Sequence, residues 1–464
     1  AARGRVPMII FDTPMLAADS YNYTRGFAGW DFVRGQHADR YVVDPIPTRL
    51  PAAPHKLKNV AATHRYLRNT AFRRSEDDWM AAQTLRRAMA WLERNRARED
   101  FVLWVDLWDP HEPFDAPDFD LTRYADPDYR GEEIIYPRYG RPDYMDEAER
   151  DHVRAHYAAL VTLVDRWIGR LLEKLEALGL ARNTLVLFFS DHGHLFGDHD
   201  LQGKPTGPLG KLYEVTTRVP LLIRHPGGVG AGRRVGGIAQ HPDLLPTILD
   251  VLGLPIPATV QGQSLWPLIR GEAEDVRECA VSGRYSRLAS EGGRAPAGSD
   301  AAAFDGAAGI ATAQEPLTLT TRRWAYLSPA EGGGDRELYD LDADPAQGRN
   351  LIAERPDVAA ELHAALVAWL EGVGMPPGRV ARYRRGERSA ARDPLLPADT
   401  PLWAIEDGRG HTLAFTHRGA AEACLGPAVP PQAARETTLG RLREQVPRAL
   451  VDMHDQYYRS EDLL

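Results

Sequence analysis

The sequence holds only two cysteines, Cys279 and Cys424, far apart in its 464 residues. Two such residues cannot build a disulfide framework, and neither stands in a metal-type cysteine spacing. Unpaired cysteines fit a reducing, cytoplasmic compartment. Long apolar runs are missing too: no window comes near the roughly 18 consecutive apolar residues of a membrane-crossing helix. The opening residues, AARGRVPMIIF, pass straight into a strand-like run and lack the apolar core of a signal peptide. Excess positive charge is also absent. Lysine and arginine total 56 against 65 acidic residues, a net charge of −9, which argues against a general nucleic-acid binder. The basic stretch RVARYRRGERSAAR (379–392) reads as a solvated run. What remains is 43% hydrophobic and 26% charged, the composition of a soluble globular protein with one large domain or two to three ordinary ones.

Apolar runs recur along the chain. VPMIIF (6–11), FVLWVDL (101–107), TLVLFF (184–189) and VPLLIR (219–224) read as strands. Helices are expected between them. One covers 75–98, where Ser75 can cap and Trp79, Leu85, Met89 and Leu92 share a face. A long one covers 146–178, where Val153, Tyr157, Leu160, Val164, Ile168, Leu171 and Leu175 recur at three and four and Gly179 ends the pattern. A short one covers 241–254. Apolar strands alternating with helices predict an α/β fold, a mainly parallel sheet sandwiched by helices. After 274 the pattern changes. RECAVSGRY, PLTLTTRRWAYLS and RELYDLD read as antiparallel strands, and 355–374 as an amphipathic helix. The expected organisation is therefore a core over 1–274, a small antiparallel α+β C-terminal subdomain over 275–375, and a linker with a small tail over 376–464. That tail, with strands LWAIED and TLAFTH, is a candidate homo-oligomer contact.

Ligands of open α/β sheets bind beyond the carboxyl ends of the strands. Two clusters of titratable residues fall there. One is SDHGHLFGDHDLQGK (190–204), directly after TLVLFF, and the other is DLWDPHEP (106–113). Asp191 and His192 are neighbours and can converge on one ion only where the backbone has left the strand. An aspartate oxygen and an imidazole nitrogen suit Mn²⁺, Fe or Zn²⁺, and Ca²⁺ or Mg²⁺ less comfortably. Two ligands do not hold a catalytic metal, so the pair reads equally as half a metal site or as a capping turn.

The order of several segments adds to this. SDHGHLFGDHDLQGK followed by LYEVTTRVPLLIRHPGG, then QHPDLLPTILDVLGLPIPATVQGQSLWPLI (240–269), then ELYDLDADPAQGRNL (337–351), with RGFAGWDFVRGQHADRY (25–41) upstream, resembles the sulfatase family of the alkaline phosphatase superfamily. The Asp-His pair with its later Gly-Lys is more similar to the phosphonate monoesterase and phosphodiesterase branch than to typical arylsulfatases. The resemblance covers roughly residues 1–372. It implies an alkaline phosphatase-like fold and a metal-dependent hydrolase of sulfate esters, or of phosphate or phosphonate esters, acting on small molecules. It implies Asp191 and His192 as metal ligands, Lys204 as a contact of the transferred group, and His111 as the proton donor to the leaving oxygen. Thr13, Lys211 and His199 become candidate substrate contacts, with His194 and His225 in supporting roles. The implied cofactors are one divalent metal (Mn or Ca first, with Mg, Fe or Zn as alternatives) and a formylglycine nucleophile.

These roles are physically coherent. Transfer of a sulfuryl or phosphoryl group spreads negative charge over oxygens that a cation and a metal can stabilise. A histidine near neutrality can protonate the departing oxygen. The family's Cys- or Ser-x-Pro-x-Arg motif, source of the formylglycine, occurs nowhere in the 464 residues. The family's Lys-x-His is also missing: Asp12 and Pro14 stand in FDTPML. The expectation is that the nucleophile and part of the metal shell lie upstream of this sequence and that this chain alone is inactive. Two rivals stand beside it: a non-catalytic binding or assembly relative, and a two-metal phosphomutase or nucleotide pyrophosphatase that would use His241 and Asp243.

Overall fold

Strand β1, Val6–Phe11, is rich in β-branched residues and lies between two partners. These are β2, Gly29–Phe32, and β3, Phe101–Asp106, both parallel to it. The registers pair Phe11 with Phe32 and with Asp106, so all three strands end at one level. That level is the floor of the candidate site. The computed structural model describes residues 5–18, 22–37, 39–205, 210–283, 316–328, 336–385, 400–406, 412–415, 421, 434–446, 450–452 and 457–459. Strand β2 lies inside a segment where no strand was expected.

Helices cover one face of this sheet. Helix α1, Val60–Thr70, is capped by the Asn59 side chain, which accepts from the Ala62 N–H at 2.8 Å. Helix α2 runs Met80–Arg94; Ser75 caps a short 3-10 turn ahead of it rather than the helix itself. Helix α3, Glu147–Ala177, begins with a reciprocal Asp146–Glu149 capping box. Leu85, Leu160, Leu163 and Trp167 meet Leu57, Tyr66, Phe114 and Tyr136 in one buried cluster. Each such side chain contributes about 1.5–3 kcal/mol by leaving water. The opposite face of the sheet differs. Val102 and Trp104 of β3 and Trp30 of β2 are exposed there among the described residues, although every residue from Phe101 to Val105 is apolar.

Strand β4, Val186–Phe189, leads into the first titratable cluster. A hairpin of β5, Leu195–Phe196, and β6, Gln202–Gly203, follows, and then β7, Leu221–Arg224. Strand β7 was expected within a mainly parallel sheet; it pairs antiparallel to β4, Phe189 against Leu221. An apolar run reads the same in either direction, and here β7 starts at the carboxyl end of β4, the end at which the chain left.

The C-terminal region is antiparallel. Strands β8 (Ala280–Gly283), β9 (Leu317–Thr320), β10 (Trp324–Leu327) and β11 (Glu337–Asp340) form a four-stranded sheet in the order β11-β10-β9-β8. Helix α4, Pro356–Gly372, packs Leu362, Leu366 and Leu370 on it. The stretch read as linker begins with a further helix, Pro377–Arg385, because Val380 is apolar and buries in the same cluster. The expected tail strands are present as Pro401–Glu406 and Thr412–Phe415. Cys424, residues 289–314 and the basic run beyond Arg385 lie outside the described residues.

Candidate active site

The strand ends deliver carboxylates to a buried floor. Asp12 follows β1 directly, is fully buried, and accepts the Trp108 N–H at 2.6 Å, tying β1 to the loop after β3. Burial, with repulsion from Asp109 and Asp106, pushes its carboxyl well above the usual range. Asp109 accepts from Gln36 Nε2 at 2.9 Å and is raised to about 6 by burial. After β2, His37 sits at positive φ with its ring 4.9 Å from Trp108 and its Nε2 against the Tyr136 hydroxyl. Burial, then repulsion from Lys58, lowers it to about 3.

On this floor stands a compact group. Trp108 packs on the His111 ring at 4.0 Å. His111 Nδ1 lies 2.8 Å from the Glu112 carbonyl, which can only accept, so Nδ1 carries the proton and Nε2 its lone pair. Lys204 Nζ points at that lone pair from 3.0 Å and also donates to Glu112 Oε2 at 3.1 Å. Glu112 is wholly buried, with Lys58 Nζ 3.4 Å away on its other oxygen and the Tyr139 hydroxyl bonded to the same one. Burial pushes the Glu112 carboxyl upward, but attraction to His111, Lys204, Lys58 and His194 outweighs that and holds it well below its ordinary value. Burial also keeps His111 and His194 neutral and draws the Lys204 ammonium down to about 8. Two ammonium groups therefore face one carboxylate, leaving a positive pocket lined by neutral imidazoles.

Local chain geometry places Lys204. The turn Gly197–Asp200 uses three positive-φ residues, Gly197, His199 and Asp200, to reverse the chain between β5 and β6. Gly203, at φ +81, would clash with the Tyr139 ring if it bore a Cβ (2.1 Å), so only glycine lets Tyr139 reach Glu112 beside Lys204. Gly193 does the same for the Asp191–His192 corner, where a Cβ would lie 1.9 Å from the Val215 carbonyl oxygen. His192 lies beside His111, ring centroids 6.1 Å apart. Its Nδ1 bonds the Gly193 carbonyl at 2.9 Å, so Nε2 again presents a lone pair. That lone pair faces Asp191 Oδ2 at 3.4 Å. Burial, then repulsion from Lys204, keeps His192 neutral, so two electron-rich atoms face each other and call for a cation.

The family model described as Sulfatase matches residues 20–254, half of the chain. The chain belongs to the sulfatase family. Arylsulfatase K of Bos taurus is 26% identical over 389 residues, 77% of this chain and 66% of the relative. The N-acetylglucosamine-6-O-sulfatase of Bacteroides thetaiotaomicron is 29% identical over 237 residues, 50% of this chain and 36% of that enzyme. The chain thus spans about two thirds of the first relative's length and less of the second's. The crystal structure of the phosphonate monoester hydrolase of Agrobacterium radiobacter shares the fold, with a TM-score of 0.54, 22% identity, and coverage of 79% of this chain and 77% of that one.

Sulfatase-family enzymes use a divalent metal and formylglycine. Asp191 and His192 offer a suitable oxygen and nitrogen, but among the described residues no third carboxylate, imidazole or thiolate joins both within 4.8 Å. Asp106 is nearby, since its carboxyl is raised by burial and further by Asp191, but it accepts from the Thr13 hydroxyl. The residues present are two donors of a shell, not a shell.

The family resemblance's other candidates divide. His111, Lys204, Asp191 and His192 come together, with Thr13 held at the floor by Asp106. Lys211 and His199, expected to contact substrate, fall elsewhere. Lys211 is ion-paired to Glu337 of β11, and His199 stacks on Tyr213 at 3.5 Å, with Tyr339 beside them. Both brace the core against the C-terminal sheet. Asp243, the rival ligand, is consumed structurally: it accepts from the Gln240 and Gln263 N–H groups and pairs with Arg277. Sequence reasoning missed Glu112, Lys58 and His37. Glu112 had a signal, since it adjoins His111 in DPHEP; Lys58 and His37 had none.

Proposed function

We propose that these residues form the leaving-group side of a site that hydrolyses sulfate monoesters. The observation that carries it is the Lys204–His111 contact of 3.0 Å, over a buried carboxylate and beside Asp191–His192, in a chain of this family. The excess positive charge from Lys204 and Lys58 binds the oxygens of the group being transferred. Lys204 Nζ and His111 Nε2 share one proton that is free to move. Burial brings the lysine close to neutral pH, where a general acid is most effective, so this pair supplies the proton to the departing oxygen. Glu112 holds both partners in place. The metal of this site is proposed to be Mn²⁺ or Ca²⁺, completed by ligands beyond Asp191 and His192, and the nucleophile is not among recognised motifs of the 464 residues.

A second reading, phosphate or phosphonate esters, is favoured by His192 standing where an amide would suit the arylsulfatase pattern. Trp108, its ring 4.0 Å from that of His111, is a natural reporter. Sulfate, phosphate and vanadate should each change tryptophan emission of the wild type and not of Lys204→Ala. Their relative affinities separate the two readings, and silence of all three in the wild type would sink both. Hydrolysis of p-nitrophenyl sulfate by 1–464 alone, lost in Lys204→Ala, would show that a nucleophile lies within these residues after all.

A further inference from the structure

We propose that Glu133, His152 and His156 form a second divalent-metal site, suited to Zn²⁺, on the face of α3 remote in sequence from the strand-end residues. His152 and His156 stand four apart on one helix, the spacing at which two imidazoles share a face. Both are buried in the fold, and both direct Nε2 at the same oxygen, Glu133 Oε2, from 2.8 Å. The three ligand atoms lie within 4.8 Å of one another, and this is the one such triad among the described residues. The Tyr129 ring stacks on His152 at 3.9 Å and fixes its orientation. The Glu133 side chain is 48% exposed, so ion and water have a way in.

Two imidazoles and one carboxylate with an open position make a donor set for Zn²⁺, with Cu²⁺ and Ni²⁺ as competitors. Binding would put the ion in place of the hydrogen on each Nε2 and leave the imidazole proton on Nδ1. Both Nδ1 atoms are buried without a partner. Metal-bound imidazoles are usually held through that far nitrogen, so affinity here should be about 10–100-fold below a site with such partners. The ion would act on the loop that follows. Glu133 precedes Ile134, Ile135 and Tyr136, all in the core, and Tyr136 and Tyr139 reach His37 and Glu112. Bound metal would clamp this loop to α3 and so steady one wall of the active site. The proposal is independent of the reading of that site.

The test uses the full chain, stripped with a chelator and titrated with Zn²⁺ against a competing dye, with Co²⁺ absorption reporting geometry. An Asp191→Asn/His192→Asn variant removes the strand-end donors. It should keep one bound ion and a Zn²⁺-dependent rise in melting temperature. His152→Gln/His156→Gln should lose the tetrahedral Co²⁺ spectrum. Glu133→Gln, isosteric at a half-exposed position and safe for folding, should weaken Zn²⁺ by at least about tenfold. Unchanged binding in both of these variants, or no binding in the Asp191→Asn/His192→Asn protein, would overturn the proposal.

Discussion

Two clusters of this molecule use the same side chains to opposite ends. At the strand ends, one carboxylate, Glu112, lies between two lysines with neutral histidines around it, and the sum is positive. On α3, one carboxylate, Glu133, is shared by two histidines, and hydrogen bonds from His152 and His156 draw it down to about 2. The first is arranged for an oxyanion, the second for a cation. Burial also separates them: Glu112 is sealed, while Glu133 is half open to water. The kinds of residue do not decide the chemistry; the count of lysines and the depth of the carboxylate do.

The strongest way to break this comparison is to remove each carboxylate. Glu112→Ala leaves two buried ammonium groups uncompensated and should cost about 3–5 kcal/mol of stability in urea unfolding. Glu133→Gln should cost about 1 kcal/mol, one hydrogen-bonded acceptor at a wet site. Equal losses would erase the distinction drawn from burial. Lys204→Ala should weaken oxyanion binding or, where turnover is measured, lower the rate by ~10²–10³-fold, while His152→Gln should leave both within a factor of about 2–3.

pH sharpens the contrast further. Oxyanion binding needs charged Lys204, so it should be lost as pH rises through about 8, and Lys204→Met should remove that step from the profile. The stability contribution of Lys204 has the other sign. The folded chain releases this proton near 8 and the unfolded chain only near about 10.4, so the group favours folding increasingly across that window. Glu133 works at the acid end. Its depressed value stabilises the fold above the unfolded carboxyl range, and that share is lost as pH falls toward about 2. The smallest effect is expected for Tyr139→Phe, about 1 kcal/mol in a thermal melt, from one hydrogen bond to Glu112.

Much of the fold was legible along the chain. Apolar runs at 6–11, 101–106 and 186–189 became strands, and the spacing at three and four over 147–177 became α3, because both periods are local. The strand-end rule brought out Asp191, His192 and His111 for the same reason: a strand has an end wherever its apolar run stops. Other features are not local. Strand β7 pairs antiparallel with β4, although its apolar run reads the same in either direction. Lys211 and His199 are site candidates only by family resemblance, and packing instead sets them against Glu337 and Tyr339 of β11. The residue types, their order and their membership of the sulfatase family belong to the sequence by itself. Which carboxylate each lysine and histidine meets was decided only by the tertiary structure, because pairing across tens of residues depends on packing and burial that no local pattern records.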